Sequence, residues 1–269
     1  MLGYLKHIPF RLAVKSMAIN TAKGLGISRR QRACLTHLSK SVEFAEHIAT
    51  GSYEIVRQCL PNLTGLTGLE IGPGDNLGVA ECFLANGAVH MICVEQFATV
   101  KDSPELRELI AARYGPYTGT PELISDAFEN VSRQVDFIYS IDVLEHVADV
   151  PAAIRHMANL LKPGGIAVHS VDFAGHNAYL ETGIDFLTCP DWMWNLFHSH
   201  LETTNRIRYD DLRNAIKDAG LELVSAVPTI SVDDARVELL RKDMLPRYRN
   251  RATEDLKVLQ ATIAFRKPA

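Results

Sequence analysis

A glycine turn between a short apolar run and the start of a helix carries the most chemistry in this sequence. Residues 69–71 lead into Gly72, Pro73 and Gly74. Glycine lets the backbone approach a ligand in conformations that a side chain would block. The helix that follows offers unpaired amide groups and the positive end of its dipole to a polar or anionic group. Glu70 is an unusual residue for a buried strand, and we expect it to face a cationic partner.

The spacing of the glycines excludes one common nucleotide-binding loop and weakens the case for another. A phosphate-binding loop ends in Gly-Lys-Ser or Gly-Lys-Thr, and neither occurs here. The dinucleotide fingerprint is Gly-x-Gly-x-x-Gly, whereas the third glycine of this turn, Gly78, stands one residue too late. A nicotinamide oxidoreductase is therefore disfavoured.

Histidine and aspartate residues near the end of a later apolar run are the candidates for acid–base chemistry. His169, Asp172 and His176 lie at and just beyond that run, where open α/β sheets place their ligands. A histidine or aspartate there can take a proton from a hydroxyl or an amine. His169 stands among apolar residues, so a core histidine is the alternative for it. We favour His176 as the base.

Alternating apolar runs and helical stretches predict the elements that position these residues. Strands are predicted at 68–71, 89–94, 122–124, 135–140, 165–171, 221–227 and 259–265, and helices at 77–86, 104–113, 150–161 and 209–219. Valine- and isoleucine-rich strands separated by helices indicate a largely parallel sheet covered on both faces. The sequence Pro163-Gly164-Gly165 predicts a sharp stop of the preceding helix before the fifth strand.

The segment 173–208 interrupts this alternation and is rich in aromatic residues and histidine. An insertion of this length in such a fold is usually functional. Trp192, Trp194 and Phe197 are expected to build the wall of an acceptor pocket or a lid. His198 and His200 could join His176 and an aspartate in a metal site, but their spacing is not a recognised ligand motif, so no metal site is predicted. For Arg206 and Arg208 we expect solvated side chains, with pairing to an acidic acceptor as the alternative.

The glycine turn resembles the first motif of class I S-adenosylmethionine-dependent methyltransferases, Glu/Asp-x-Gly-x-Gly. It stands here as Glu70-Ile71-Gly72-Pro73-Gly74. Further matches follow in the family's order over residues 66–171: Glu95 at the end of the second strand, Asp126 after the third, the segment 136–147, and Leu-Lys-Pro-Gly-Gly at 161–165. Within this family, the motifs most resemble those of the ubiquinone-biosynthesis methyltransferases.

This resemblance implies an α/β fold with a seven-stranded, mostly parallel Rossmann-like methyltransferase sheet whose last strand is antiparallel. Residues 1–60 would form a helical N-terminal extension or cap. Residues 61–269 would form the methyltransferase domain, with an acceptor-side insertion after the fifth strand at about 173–208.

The resemblance also implies roles around S-adenosylmethionine. The implied contacts are Gly72 and Gly74 with the methionine portion, Glu70 with its amino group, Glu95 with the ribose hydroxyls, Gln96 and Phe97 over the adenine, Asp126 and Ala127 at the adenine edge, and Ser140 and Asp142 on the floor with His146 close by. The residues alone leave a second role open at two of these positions. Glu70 could be a buried acid whose hydrogen bonds come from local amides, and Asp126 could cap a helix.

The predicted function is transfer of a methyl group to an oxygen or nitrogen of a small molecule, such as a sugar or a secondary metabolite. One alternative is an enzyme of the same fold that uses the cofactor for cyclisation or aminocarboxypropyl transfer. Another is a non-catalytic scaffold that binds S-adenosylmethionine.

Composition limits the partners of the chain. Its 269 residues carry a net charge of −4, which argues against nucleic acid as the main partner. Five cysteines without a Cys-x-x-Cys pair are typical of reduced thiols in a cytoplasm. Eight basic residues precede the first acid, Glu43. We interpret them as a solvated basic surface, with contact to an anionic membrane as the alternative. We expect a monomer or a homodimer.

Overall fold

Seven strands form one mixed sheet at the centre of the protein. The computed structural model describes residues 10–25, 37–97, 99–176, 183–198 and 204–269. The strands are β1 (Thr67–Ile71), β2 (His90–Val94), β3 (Glu122–Ile124), β4 (Val135–Ile141), β5 (Leu161–Asp172), β6 (Glu222–Ser231) and β7 (Val258–Arg266). Their order in the sheet is β3-β2-β1-β4-β5-β7-β6. Strand β7 runs antiparallel to both neighbours, β5 and β6, and β1 to β5 pair in parallel. The predicted fold is confirmed.

Helices cover both faces of this sheet. They are α1 (Phe10–Gly24), α2 (Val42–Cys59), α3 (Gly78–Ala85), α4 (Pro104–Tyr114), α5 (Val150–Leu160), α6 (Asp191–His198), α7 (Tyr209–Asp218), α8 (Asp234–Arg241), α9 (Pro246–Arg249) and α10 (Thr253–Leu256). Because side chains alternate along a strand, Leu69 and Ile138 pack with α5 and α7, while Met91 and Phe137 pack with α2, α3 and α4. Burial on both faces explains why the strands are apolar almost throughout.

The two N-terminal helices have different neighbours. Helix α2 begins at a Ser41 cap, whose hydroxyl accepts from the Phe44 amide, and its buried side chains belong to the core of the sheet. Helix α1 lies against α6 of the insertion, where the Asn20 side chain donates to the carbonyl oxygens of Asn195 and Leu196. The proposed boundary at residue 60 therefore follows a helix that packs directly on the main domain.

The fifth strand begins earlier than the sequence predicts. Helix α5 ends at Leu160 and β5 starts at Leu161, so residues 163–165 lie inside the strand. They form a bulge, across which the pairing passes from Val135 with Leu161 to Phe137 with Ile166. Hydrogen bonds to the backbone of Lys267 stabilise this bulge. The prediction of a helix stop before the strand is wrong in this detail, because β7 supplies partners for the irregular residues.

A buried arginine joins the insertion to the last strand. Arg208 is 0% exposed. Its guanidinium donates to the carbonyl oxygens of Phe173 at 2.5 Å, Leu256 at 2.9 Å and Val258 at 2.6 Å. Burial lowers its pKa to about 10, so it stays charged at neutral pH. The expectation of a solvated side chain is wrong for Arg208, because three carbonyl groups from distant parts of the chain replace water as its partners.

Within the described ranges, every helix is too short or too polar to cross a bilayer.

Replacing Arg208 with methionine is expected to lower the free energy of unfolding by about 3 kcal/mol, since buried carbonyl groups lose their donor. Urea unfolding followed by circular dichroism measures this. The neighbouring Arg213→Met variant is the control, because Arg213 is exposed, pairs with Asp210 and lies over the Tyr209 ring, and such surface contacts are each worth about 1 kcal/mol or less. Equal midpoints for the two variants would contradict the role given to Arg208.

Candidate functional site

A cavity of about 710 Å³ lies at the carboxyl ends of the parallel strands. Its lining comes from the residues that follow β1, β2, β3 and β4 and from the segment beyond β5. This volume lies within the range of small-molecule sites, and the carboxyl edge is where open α/β sheets bind their ligands.

The glycine turn forms one wall of this cavity. Gly72 and Gly74 have φ angles of 70° and 78°, in the left-handed region that favours glycine. A Cβ atom on Gly72 would lie 2.7 Å from a methyl group of Val143, on the loop after β4. The turn is also fixed by the Gly72 amide, which donates to the carbonyl of Val94. Gly72 lines the cavity, whereas Pro73 and Gly74 are buried behind it.

Glu95 connects the turns after β1 and β2. It is 3% exposed and lines the cavity. Its carboxylate accepts from the Gly74 amide at 3.2 Å and from the Phe97 amide at 2.9 Å. Burial raises its pKa and these amides partly offset the effect. Each carboxylate oxygen has a second lone pair, so the group retains the capacity to accept two hydroxyl groups. Gln96 and Phe97 line the cavity beside it.

Asp126 caps a turn at the adjoining edge of the cavity. It is exposed, and its Oδ1 accepts from the Ala127 amide at 2.7 Å and from the Asn130 side chain at 2.8 Å. These bonds hold its pKa below the ordinary value. Asp126 lines the cavity and Ala127 does not. The capping role and the predicted adenine contact are compatible, because both hydrogen bonds use the same oxygen.

Asp75 holds an N-terminal segment beside the glycine turn. Its carboxylate accepts from the amides of Leu38 and Ser39 and from the Ser39 hydroxyl. Burial alone would raise its pKa, but the hydrogen bonds from Asn76, Ser39 and Leu38 bring it below its usual range. This contact places the segment 37–40 so that His37 and Lys40 line the cavity. Sequence reasoning missed Asp75, although its position directly after Gly74 was a signal.

Glu70 lies beneath the turn and does not line the cavity. It is buried against α3, where the Cys93 thiol donates to it at 3.6 Å and the Ala80 amide contributes a further hydrogen bond. Burial raises its pKa to about 8. This placement corresponds to the alternative of a buried acid with local partners, and the contact with the cofactor's amino group stays a prediction.

Ser140 and His169 form a buried pair on neighbouring strands. The Ser140 hydroxyl and His169 Nδ1 are 2.7 Å apart, and the histidine ring stacks on Phe265. Burial lowers the pKa of His169 to about 3, so the ring is neutral. Neither residue lines the cavity. The placement of His169 is that of the core histidine which the sequence offered as its alternative.

Acidic and histidine side chains meet at the end of the cavity formed by the loops after β4 and β5. His176 Nε2 lies 2.9 Å from Asp172 Oδ2, and the rings of His146 and His176 are 5.0 Å apart between centroids. Asp142 has a φ of 52°, which is uncommon for a residue other than glycine. Burial, assisted by the charge of Asp172, raises the pKa of Asp142 to about 6. Asp142, His146 and His176 line the cavity.

The tryptophan residues of the insertion lie away from the cavity. Trp194 packs against Phe186 and under the guanidinium of Arg206, and Trp192 is exposed. Neither lines the cavity. His200 and the side chains of Phe197 and His198 lie outside the described residues.

A family model described as a methyltransferase domain matches residues 44–226, and the chain therefore belongs to the methyltransferase domain family. S-adenosylmethionine, the cofactor that the sequence predicts, is the cofactor of these proteins.

Individual relatives are distant. A ubiquinone biosynthesis O-methyltransferase from Ruegeria pomeroyi is 28% identical over 100 residues, which is 37% of this chain and 39% of that protein. The aligned part thus spans less than half the length of this curated relative. Two solved structures resemble the fold with a TM-score of 0.51. The [4+2]-cyclase SpnF is 14% identical, with 84% of this chain and 82% of that one covered. A phosphoethanolamine N-methyltransferase 2 from Haemonchus contortus in complex with S-adenosyl-L-methionine is 12% identical, with 82% and 53% covered.

The residues present fit this cofactor. The turn at Gly72 has no room for a Cβ, so the backbone itself faces the cavity there. Glu95 supplies a carboxylate for a pair of hydroxyl groups. The cavity lining is mixed apolar and acidic, which suits an aromatic base and a cationic centre in one ligand.

Glu70→Gln is expected to change how the stability of the cofactor-free protein depends on pH. The folded protein holds a proton on Glu70 up to about pH 8, whereas the ordinary pKa is 4.5. The folded state therefore binds more protons in this interval, and the stability that Glu70 contributes is lost as the pH rises. Relative to Glu70→Gln, the native protein should lose about 3 to 5 kcal/mol from pH 4.5 to 8.

Urea unfolding at several pH values measures the difference between the two proteins. Glu43→Gln serves as the matched control, because Glu43 is exposed at the start of α2. A difference between native protein and Glu70→Gln that does not vary with pH would show that Glu70 ionises normally.

Proposed function

We propose that this protein is an enzyme that transfers the methyl group of S-adenosylmethionine to an oxygen or nitrogen atom of a small molecule. The observation that carries the proposal is a single cavity that connects the glycine turn and Glu95 with Asp142, His146 and His176. A cofactor site and a proton-accepting group thus share one space. The bound cofactor supplies a methyl group already activated by its sulfonium centre.

The chain's contribution at the cofactor end is to bind and orient. The proposal assigns the methionine portion to the backbone at Gly72, the ribose hydroxyls to Glu95 and the adenine to Gln96, Phe97 and Asp126. The two backbone amides that already bond to Glu95 hold its carboxylate in place before any ligand arrives. Such preorganisation reduces the cost of binding.

The chain's contribution at the acceptor end is to remove a proton. His176 reaches the cavity, and its hydrogen bond to Asp172 fixes the orientation of the ring. The proposal makes His176 the base for a hydroxyl or amine of the acceptor, with Asp172 as its orienting residue. It does not use His169, whose ring is buried and bonded to Ser140.

The size of the cavity supports a small acceptor. Its volume of about 710 Å³ has to hold cofactor and acceptor together, and the segment around His37 and Lys40 lies along it. Carboxylate and imidazole groups at the acceptor end suit a molecule that carries hydroxyl or amino groups. We propose a sugar or another secondary metabolite as the class of acceptor.

Isothermal titration calorimetry with S-adenosylmethionine tests the cofactor end. Gly72→Val is expected to abolish binding, because the new side chain collides with Val143 and requires a disfavoured backbone angle. Glu95→Gln is expected to weaken binding about 10- to 100-fold, since a charged acceptor for two hydroxyl groups is lost.

Gly51→Val is the control for the glycine substitution, because a Cβ at Gly51 has nothing within 4 Å. Circular dichroism establishes whether each variant folds. If Gly72→Val does not fold, Glu95→Gln still tests the cofactor site. Unchanged affinity in folded Glu95→Gln would remove Glu95 from the site.

Product analysis tests the reaction and the acceptor end together. After incubation with small-molecule extracts, mass spectrometry should find S-adenosylhomocysteine and a product heavier by one methyl group. His176→Asn should reduce this turnover about 10²- to 10⁴-fold without changing the affinity for S-adenosylmethionine. His90→Asn, at the far end of β2, is the control.

Methylthioadenosine in place of S-adenosylhomocysteine would instead indicate transfer of the aminocarboxypropyl arm. Binding of S-adenosylmethionine without any product would favour the scaffold alternative.

A further inference from the structure

Three side chains at the acceptor end of the cavity converge as metal ligands do. Glu145, His146 and His176 each offer a ligand atom, and these atoms all lie within 4.8 Å of one another. We propose that they bind one divalent transition-metal ion of the zinc type. Two imidazoles and one carboxylate are a donor set that such ions take in proteins, with coordination positions left open.

Glu145 gives independent evidence for a cation. It is 1% exposed, and among the described residues neither of its carboxylate oxygens has a hydrogen-bond partner. The backbone amides of Glu145 itself and of Asp172 lie near it without meeting hydrogen-bond geometry. A buried carboxylate without partners is costly unless a cation accompanies it.

The surroundings of Glu145 increase the need for positive charge. The carboxylates of Asp142 and Asp172 are both close enough to interact with it electrostatically. One oxygen of Asp142, Oδ1, is also buried and has no hydrogen-bond partner in the part of the chain that the structure describes. Three acidic groups thus lie near one another beside His146 and His176, and a divalent ion bound there would offset their mutual repulsion.

Asp172 supplies the outer contact that metal-binding histidines commonly have. It accepts from His176 Nε2 at 2.9 Å, which leaves Nδ1 of that ring for an ion. A ligating histidine usually donates its other ring N–H to a carboxylate, which fixes the ring and raises its basicity. The carboxylate partner, the paired histidines and the unpartnered glutamate are thus three separate features that point to one ion.

The ion deepens the function proposed above, and only this step rests on that function. An ion held at Glu145, His146 and His176 would lie beside the cavity, because His146 and His176 line it, and an acceptor hydroxyl could coordinate it there. Coordination would orient the acceptor oxygen and lower its pKa. His176 would then serve as a ligand, and the ion would replace it in making the hydroxyl easier to deprotonate.

Titration of chelator-treated protein with Co²⁺ tests the proposal, because bound Co²⁺ absorbs in the visible range. We expect saturation at one equivalent. Glu145→Gln and His176→Asn should each weaken binding more than 10-fold, as loss of one ligand requires. His90→Asn removes a partly exposed histidine that pairs with Glu122, and it should bind as the native protein does. Zn²⁺ should compete for the same site.

Thermal unfolding provides a second measurement. Zn²⁺ should raise the melting temperature of the native protein and of His90→Asn, since an ion that binds the folded state stabilises it. It should have no such effect on Glu145→Gln. His176→Asn keeps the test decisive if Glu145→Gln does not fold, because the His176 side chain is 25% exposed.

Absence of saturable Co²⁺ binding to the native protein would overturn the proposal, and so would unchanged binding in both variants. Calorimetry with S-adenosylmethionine on the same preparations separates this result from a failure of the proposed function. Cofactor binding without Co²⁺ binding rejects the metal site alone. Co²⁺ binding without cofactor binding rejects the proposed function alone.

Discussion

The left-handed backbone at Gly72 is the constraint on which the site depends. Because this residue has no side chain, the loop after β4 can approach to within contact distance at Val143. The same turn is bonded to β2 through the carbonyl of Val94, and Glu95 is bonded to the amide of Gly74. Three neighbouring loops are thus fixed to one another, and the cofactor end of the cavity exists before a ligand binds.

Arg208 plays the corresponding part for the acceptor end. Its guanidinium binds the carbonyl of Phe173, one residue beyond β5, and carbonyl groups around the start of β7. Arg208 therefore fixes the path of the chain beyond β5, where Asp172 and His176 lie. A buried charge satisfied only by carbonyl groups is costly to form, but removing it would leave three buried acceptors unpaired. The insertion is positioned by this polar contact as well as by its apolar cluster around Ile184 and Leu187.

Local patterns in the sequence predicted the sheet and the cofactor end, because both depend on neighbours along the chain. The glycine turn and the acid at the end of β2 stand directly after apolar runs, and parallel strands bring such positions to one edge. Asp75 was missed and Arg208 was misjudged because the backbone groups that they hold in place lie more than 30 residues away along the chain. The bulge at residues 163–165 was misplaced for a similar reason, since its partner Lys267 directly follows the last strand, about 100 residues further along the chain.

The negative charge of the cavity lining bears on which form of the cofactor binds more tightly. Four acidic residues line it, namely Glu95, Asp126, Glu129 and Asp142. Among the described residues of the lining, Lys40 is the one lysine or arginine. An acidic cavity favours a cationic ligand over a neutral one of the same shape. S-adenosylmethionine carries a sulfonium charge that S-adenosylhomocysteine lacks, so we expect these carboxylates to favour the substrate form over the product form. A divalent ion at Glu145 would reduce this preference at the acceptor end. The acids near the glycine turn would keep it at the cofactor end, because Glu95 is held there by backbone amides.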